Sequence, residues 1–131
     1  MVIMIDDDDD ALEIYAMLIE KTDYADHFIT HNNGMDALHF LAESHRNGNL
    51  FPRYILLDLN MPGLGGVDFI EKYEADFCEH YPNTEIIILT SSVREKDNEE
   101  ALSYNSVSHF ISKPLSKDKL LNMITESLQQ T

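Results

Sequence analysis

The stretch Tyr54-Ile-Leu-Leu-Asp-Leu-Asn-Met-Pro-Gly63 decides the architecture. Its opening run, Tyr54 to Leu57, is apolar without alternation, as a strand buried on both faces should be. Asp58 follows at once, and Pro62-Gly63 marks a turn that carries the chain away from the sheet. An aspartate therefore stands at the carboxyl end of a central strand. The run Ile86 to Leu89 has the same character and ends at Thr90.

Outward from these two, further β-rich runs occur at Val2 to Ile5, His27 to Thr30 and Val107 to Ile111, with the fourth strand starting at Glu85. Between them apolar residues recur at helical spacing. The first helix carries Leu12, Tyr15, Ala16 and Ile19, and the second Met35, Leu38, Phe40 and Leu41. A third runs from Gly66 to about His80 on Val67, Ile70, Tyr73 and Phe77, and a fourth from about Arg94 to Tyr104. The last starts at Ser116, an N-cap, and continues through Leu120, Ile124 and Leu128. Ser44 to Arg53 reads as the longest loop. Five strand-then-helix units imply right-handed crossovers and a parallel sheet covered on both faces.

The chain has 131 residues, enough for one domain with a real core, so the expectation is a single domain over residues 1–131 with no output domain. Apolar residues at 44% and charged residues at 25% are globular values. With 24 acidic residues against 9 Lys and Arg, the formal charge is -15, which opposes direct binding to nucleic acid or an anionic membrane. The longest aliphatic runs are too short to span a bilayer, and no signal peptide opens the chain. The lone Cys78 agrees with a reducing cytoplasm, the expected compartment.

In an open parallel sheet, ligands bind outside the carboxyl ends of the strands. Asp6 and Asp7 follow the first strand, Asp58 and Asn60 the third, Thr90 the fourth, and Lys113-Pro114 the fifth. Neighbouring carboxylates raise one another's pKa unless a cation intervenes, and oxygen-only ligands select a hard cation such as Mg²⁺. Asp8 to Asp10 lie past the strand end and read as a solvated, helix-capping run. An EF-hand fails here: counted from Asp6, its sixth position would be Ala11 instead of Gly and its twelfth Met17 instead of Glu. Thr90 and Lys113 are weak signals singly; their joint placement with the carboxylates gives them weight.

These residues, in the stretches Val2-Ile-Met-Ile-Asp-Asp7, Tyr54 to Gly63, Ile86-Ile-Ile-Leu-Thr-Ser-Ser92 and Phe110-Ile-Ser-Lys-Pro114, resemble a bacterial two-component response-regulator receiver domain across essentially the whole chain. The resemblance implies an α/β, flavodoxin-like (βα)5 three-layer sandwich with strand order 2-1-3-4-5. It makes Asp58 the phosphoacceptor, with Asp6, Asp7, Asp58 and the main-chain carbonyl of Asn60 holding Mg²⁺, or Mn²⁺ in its place. It gives Thr90 and Lys113 contacts to the phosphoryl oxygens, a cis Lys113–Pro114 bond, and a switch pair of Thr90 and Phe110. The implied donor is a sensor histidine kinase or histidine phosphotransfer protein, and the signal leaves through a downstream protein or a homodimer on the face from the fourth to the fifth helix. Such a domain promotes only its own phosphorylation and dephosphorylation. Gly65 stands where many relatives have Asp, Asn105-Ser106 replace a common Ala-Gly pair, and Ser92 and Asn60 occupy positions that tune phosphoryl lifetime.

Two other readings stand beside it. One is a small Mg²⁺-dependent aspartyl phosphatase of the haloacid dehalogenase type, opening at Asp6-Asp7-Asp8; after Lys113 it finds only Asp118 where an acidic pair is needed, and it leaves Asp58 unexplained. The other is a phosphorylation-independent interaction module on the same fold.

Overall fold

The computed structural model describes residues 1–90 and 95–129, and for 95–98 the backbone alone. Strands β1 (Val2–Ile5), β2 (Phe28–His31), β3 (Tyr54–Asp58), β4 (Glu85–Thr90) and β5 (Val107–Ser112) alternate with helices α1 (Asp9–Glu20), α2 (Gly34–Asn47), α3 (Gly66–Asp76), α4 (Glu95–Leu102) and α5 (Lys117–Gln129). Every strand pairing is parallel and the order is β2-β1-β3-β4-β5, the flavodoxin-like arrangement expected.

The period-two alternation of a strand sorts the core into two layers. Ile3, Ile5, Ile55, Leu57, Ile86 and Ile88 face α2, α3 and α4, meeting Leu41, Phe69, Ile70 and Tyr73. Val2, Met4, Leu56, Ile87 and Leu89 face the opposite way, meeting Leu12 and Ile19 of α1 with Leu120, Met123 and Ile124 of α5. Burial on both faces explains why β1, β3 and β4 read as unbroken apolar runs.

Several boundaries move. β2 starts one residue later than the sequence suggests, because His27 belongs to a 3-10 turn at Ala25–His27, and the strand runs on to His31. The segment read as a loop from Ser44 begins as the last turn of α2, which ends at Gly48 in the left-handed region (φ 68°); the polar Ser44 is itself buried. Met35 is 60% exposed: Gly34, Ala37, Leu41 and Ser44 take the inward stripe of α2 instead. α3 stops at Asp76, yet the apolar spacing carries on to Phe77 because its ring still fills the core between Tyr73 and Phe51. α4 ends at Leu102, with Tyr104 in the turn beyond; Arg94 and Ser92 lie outside the described residues. Ser116 caps α5 as expected, accepting from the Lys119 amide at 3.1 Å.

Candidate functional site

Parallel registration brings the carboxyl ends of β1, β3, β4 and β5 to one edge, where the chain turns from strand to helix. Asp58 is the last residue of β3 and Thr90 the last of β4, both buried. Asp6 directly follows β1 and is 3% exposed, while its neighbour Asp7 is exposed. Carboxylate oxygens of Asp6, Asp7 and Asp58 lie within 4.8 Å of one another. Lys113 reaches in from the end of β5, its Nζ 2.7 Å from Asp6 Oδ2 and 3.5 Å from Asp58 Oδ2. The groups that the sequence placed at one sheet edge do meet there.

Local backbone geometry aims the acids. The Asp8 amide donates to Asp6 Oδ1 and the Asn60 amide to Asp58 Oδ1, each at 3.0 Å, so both carboxylates fold back onto the turn that follows them. Asp8 then caps α1, accepting from the Ala11 amide at 3.1 Å, and Asp9 and Asp10 sit in the first turn, where the helix dipole favours them. The Lys113 amide donates to the Thr90 carbonyl oxygen at 2.8 Å, and the following Lys113–Pro114 bond is cis, as the resemblance implied.

Two titrations are tied to this geometry. Burial raises the pKa of Asp58; the Asn60 amide and the Lys113 charge oppose this, the Asp6 charge adds to it, and the net direction is up. For Lys113, burial pulls the ammonium pKa down, but the hydrogen bond it donates to Asp6 and the charges of Asp58 and Asp6 together outweigh it. Three close carboxylates against one ammonium leave negative charge uncompensated. All-oxygen donors at this spacing fit a hard divalent cation, which Asp6, Asp7 and Asp58 could hold through their carboxylates.

Phe110 pairs in register with Ile88 and so stands on the α4 side of β5, 44% exposed. Asp118, the acid that the phosphatase reading needed near Lys113, is exposed in the first turn of α5.

Two residues matter beyond what the sequence signalled. Gly66 opens α3, and a Cβ there would come within 2.5 Å of the Leu59 Cα, so only glycine lets the helix start pack on the strand end beside Asp58. A glycine at a helix start shows nothing of this in sequence. Tyr15 was visible only as one of an apolar stripe; its hydroxyl meets the main chain of Leu115.

Comparison with known proteins adds four findings. Residues 2–125 match the family described as "Response regulator receiver domain". The polar-differentiation response regulator DivK of Brucella anthropi is 28% identical over 129 residues, spanning 97% of this chain and 94% of that protein. A two-component response regulator from Cytophaga hutchinsonii superposes with a TM-score of 0.79 at 28% identity, covering 98% of this chain and 96% of that one. The Vibrio cholerae chemotaxis protein CheY4 shares the fold at a TM-score of 0.71 and 21% identity, covering 96% of each chain.

Proposed function

The chain belongs to the response-regulator receiver-domain family, a family of signalling modules, and from that premise we propose that it accepts a phosphoryl group on Asp58. The observation that carries this reading is the meeting of Asp58 with Asp6, Asp7 and the Lys113 ammonium at one sheet edge.

The donor is the phosphohistidine of a sensor histidine kinase or histidine phosphotransfer protein. An Asp58 carboxylate oxygen forms the new O–P bond as the donor's N–P bond breaks, and the imidazole leaves with the bonding electron pair. A carboxylate is a weak nucleophile, so the acceleration comes from positioning and charge neutralisation. Asp58 is already oriented by the Asn60 amide. Mg²⁺, or Mn²⁺, held by Asp6, Asp7, Asp58 and the main-chain carbonyl of Asn60, supplies positive charge against the phosphoryl oxygens. Lys113 supplies the protein's own positive charge, and the Thr90 hydroxyl donates to a phosphoryl oxygen. Water later hydrolyses the acyl phosphate.

Phosphorylation adds roughly -1.5 to -2 charge units at Asp58. Thr90 moves toward that charge and Phe110 turns inward from its exposed position, which reshapes the face formed by α4, β5 and α5. That face engages a downstream protein or a second copy of the chain. The net charge of -15 opposes direct nucleic-acid binding. No described helix is long and apolar enough to cross a membrane, and the reading places the chain in the cytoplasm.

Incubation with acetyl phosphate and Mg²⁺, followed by phosphate-affinity electrophoresis, tests the assignment. The wild-type chain should shift, Asp58→Asn should not, and EDTA should stop the shift. Undiminished labelling of Asp58→Asn would refute Asp58 as the acceptor.

A further inference from the structure

The segment joining β5 to α5 carries Lys113, and past the Lys113 amide it lies beyond the hydrogen bonds of the sheet. β5 ends at Ser112 and α5 begins at Lys117. Within the gap, the Lys113 amide bonds to the Thr90 carbonyl oxygen, and Pro114 has no N–H to offer. Leu115 is buried, so its amide and carbonyl need partners within the protein.

Both partners are one side-chain atom. The Tyr15 hydroxyl donates to the Leu115 carbonyl oxygen at 2.9 Å and accepts from the Leu115 amide at 3.0 Å. A phenol has one hydrogen and lone pairs to spare, so the two bonds coexist. The ring packs, partly buried, against the core layer between the sheet, α1 and α5. Tyr15 belongs to α1, the helix that Asp8 caps immediately after Asp6 and Asp7. The element that follows the acidic pair thus grips the segment that carries the amine. Lys113 is held on one side by Thr90 and on the other, through Leu115, by Tyr15.

We infer that Tyr15 is a positioning residue for phosphoryl transfer: its hydroxyl fixes the Lys113 segment relative to Asp6 and Asp58. The inference rests on the proposed phosphoacceptor role of Asp58. It goes further in assigning a function to a tyrosine that touches none of the reacting groups.

Tyr15→Phe removes the hydroxyl and keeps the ring, and it is tested in two backgrounds. With Lys113 present, the rate constant for acetyl phosphate labelling of Asp58 should fall roughly tenfold, because small misplacements of a charge-neutralising group are costly. In a Lys113→Ala background, the same substitution should change the rate by less than about twofold, since the group it positions is gone. Equal losses in both backgrounds would mean a general structural role and would overturn the inference, as would no loss in either. Amide hydrogen exchange on the unphosphorylated chain gives a second readout. Leu115 should exchange at least about tenfold faster in Tyr15→Phe while β1 and β3 amides keep their protection; an unchanged Leu115 would also overturn it. Asp58→Asn is run alongside. Label persisting there marks a failure of the phosphoacceptor reading itself, and with it of this inference, whereas a failed Tyr15 test with Asp58-dependent label leaves that reading intact.

Discussion

Replacing Lys113 by methionine keeps an unbranched stem and deletes the ammonium 2.7 Å from Asp6 and 3.5 Å from Asp58. Removing one partner of a fully buried ion pair costs about 3–5 kcal/mol, because the other charge is left without compensation. Here the Asp6 side chain is 4% exposed but that of Lys113 is 26% exposed, so solvent screens part of the interaction. A loss of about 2–3 kcal/mol follows, equivalent to a fall in Tm of about 10 °C for a domain of this size. The pH dependence has a definite sign. Asp58 already has a raised pKa through burial, with Lys113 opposing, so the variant raises it further. A carboxyl whose folded pKa exceeds its unfolded value destabilises the fold when ionised, and that penalty fades as pH falls through the folded pKa. The Tm difference between variant and wild type should therefore be largest near neutral pH and shrink on acidification. Saturating Mg²⁺, at about 100 times its Kd, adds about 2.7 kcal/mol to whichever form binds it. At one fixed Mg²⁺ concentration the variant should gain the larger Tm shift, since its site lacks a competing cation and its Kd is lower. Calorimetry of both proteins across pH, with and without Mg²⁺, checks all three expectations. A Tm loss under about 2 °C that ignores pH would make Lys113 a solvated surface cation and refute the reasoning.

Gly66→Ala forces a methyl group to within 2.5 Å of the Leu59 Cα, a backbone atom that cannot rotate away; urea denaturation should show a loss of at least about 2 kcal/mol, and phosphoryl uptake should slow as the end of β3 shifts. Phe110→Ala removes a ring that is 44% exposed, so the unphosphorylated chain should lose no more than about 1 kcal/mol in the same assay. Its backbone amide NMR shifts over β5 and α5 on acetyl phosphate treatment should instead be much smaller than in the wild type, and a full-sized response would remove Phe110 from the switch.

The fold was legible because two-faced burial leaves a plain signature. β1, β3 and β4 carry apolar side chains on both faces, and their ends are marked by Asp6, Asp58 and Thr90. The meeting of the candidate site residues was legible for a related reason: a parallel sheet gathers whatever follows each strand onto one edge, so position after a strand stands in for distance. Legibility faded where partners are remote or made of backbone. Ser44 reads as a loop residue until α2 is seen to run through it and turn it inward, and Met35 reads as core until the smaller Ala37 and Gly34 take the inward stripe. Phe77 keeps the helical spacing beyond the end of α3 because packing, and not helix geometry, selects an aromatic there. The 2.5 Å constraint at Gly66 and the clasp of Tyr15 on Leu115 depend on contacts that no spacing rule encodes.

The charge balance of the site points to what phosphorylation changes. With its three carboxylates ionised, the site has one ammonium against them, and that ammonium sits closer to Asp6, at 2.7 Å, than to Asp58, at 3.5 Å. Lys113 is thus committed chiefly to an acid that, in the proposed reading, never receives the phosphoryl group. Under the proposed phosphorylation, adding roughly -1.5 to -2 charge units on Asp58 would reverse the preference, because the phosphoryl oxygens carry more charge than a single carboxylate. In the proposed reading Lys113 would then move toward Asp58, and a divalent cation, which Asp6 and Asp7 would help to hold, would supply the compensation that Asp6 loses. The Lys113 amide is bonded to the Thr90 carbonyl oxygen, so a displacement of this lysine would reach the end of β4, where the proposed switch residue Thr90 stands. The long chain of a lysine permits such a transfer with little backbone cost, which the rigid fork of an arginine would not.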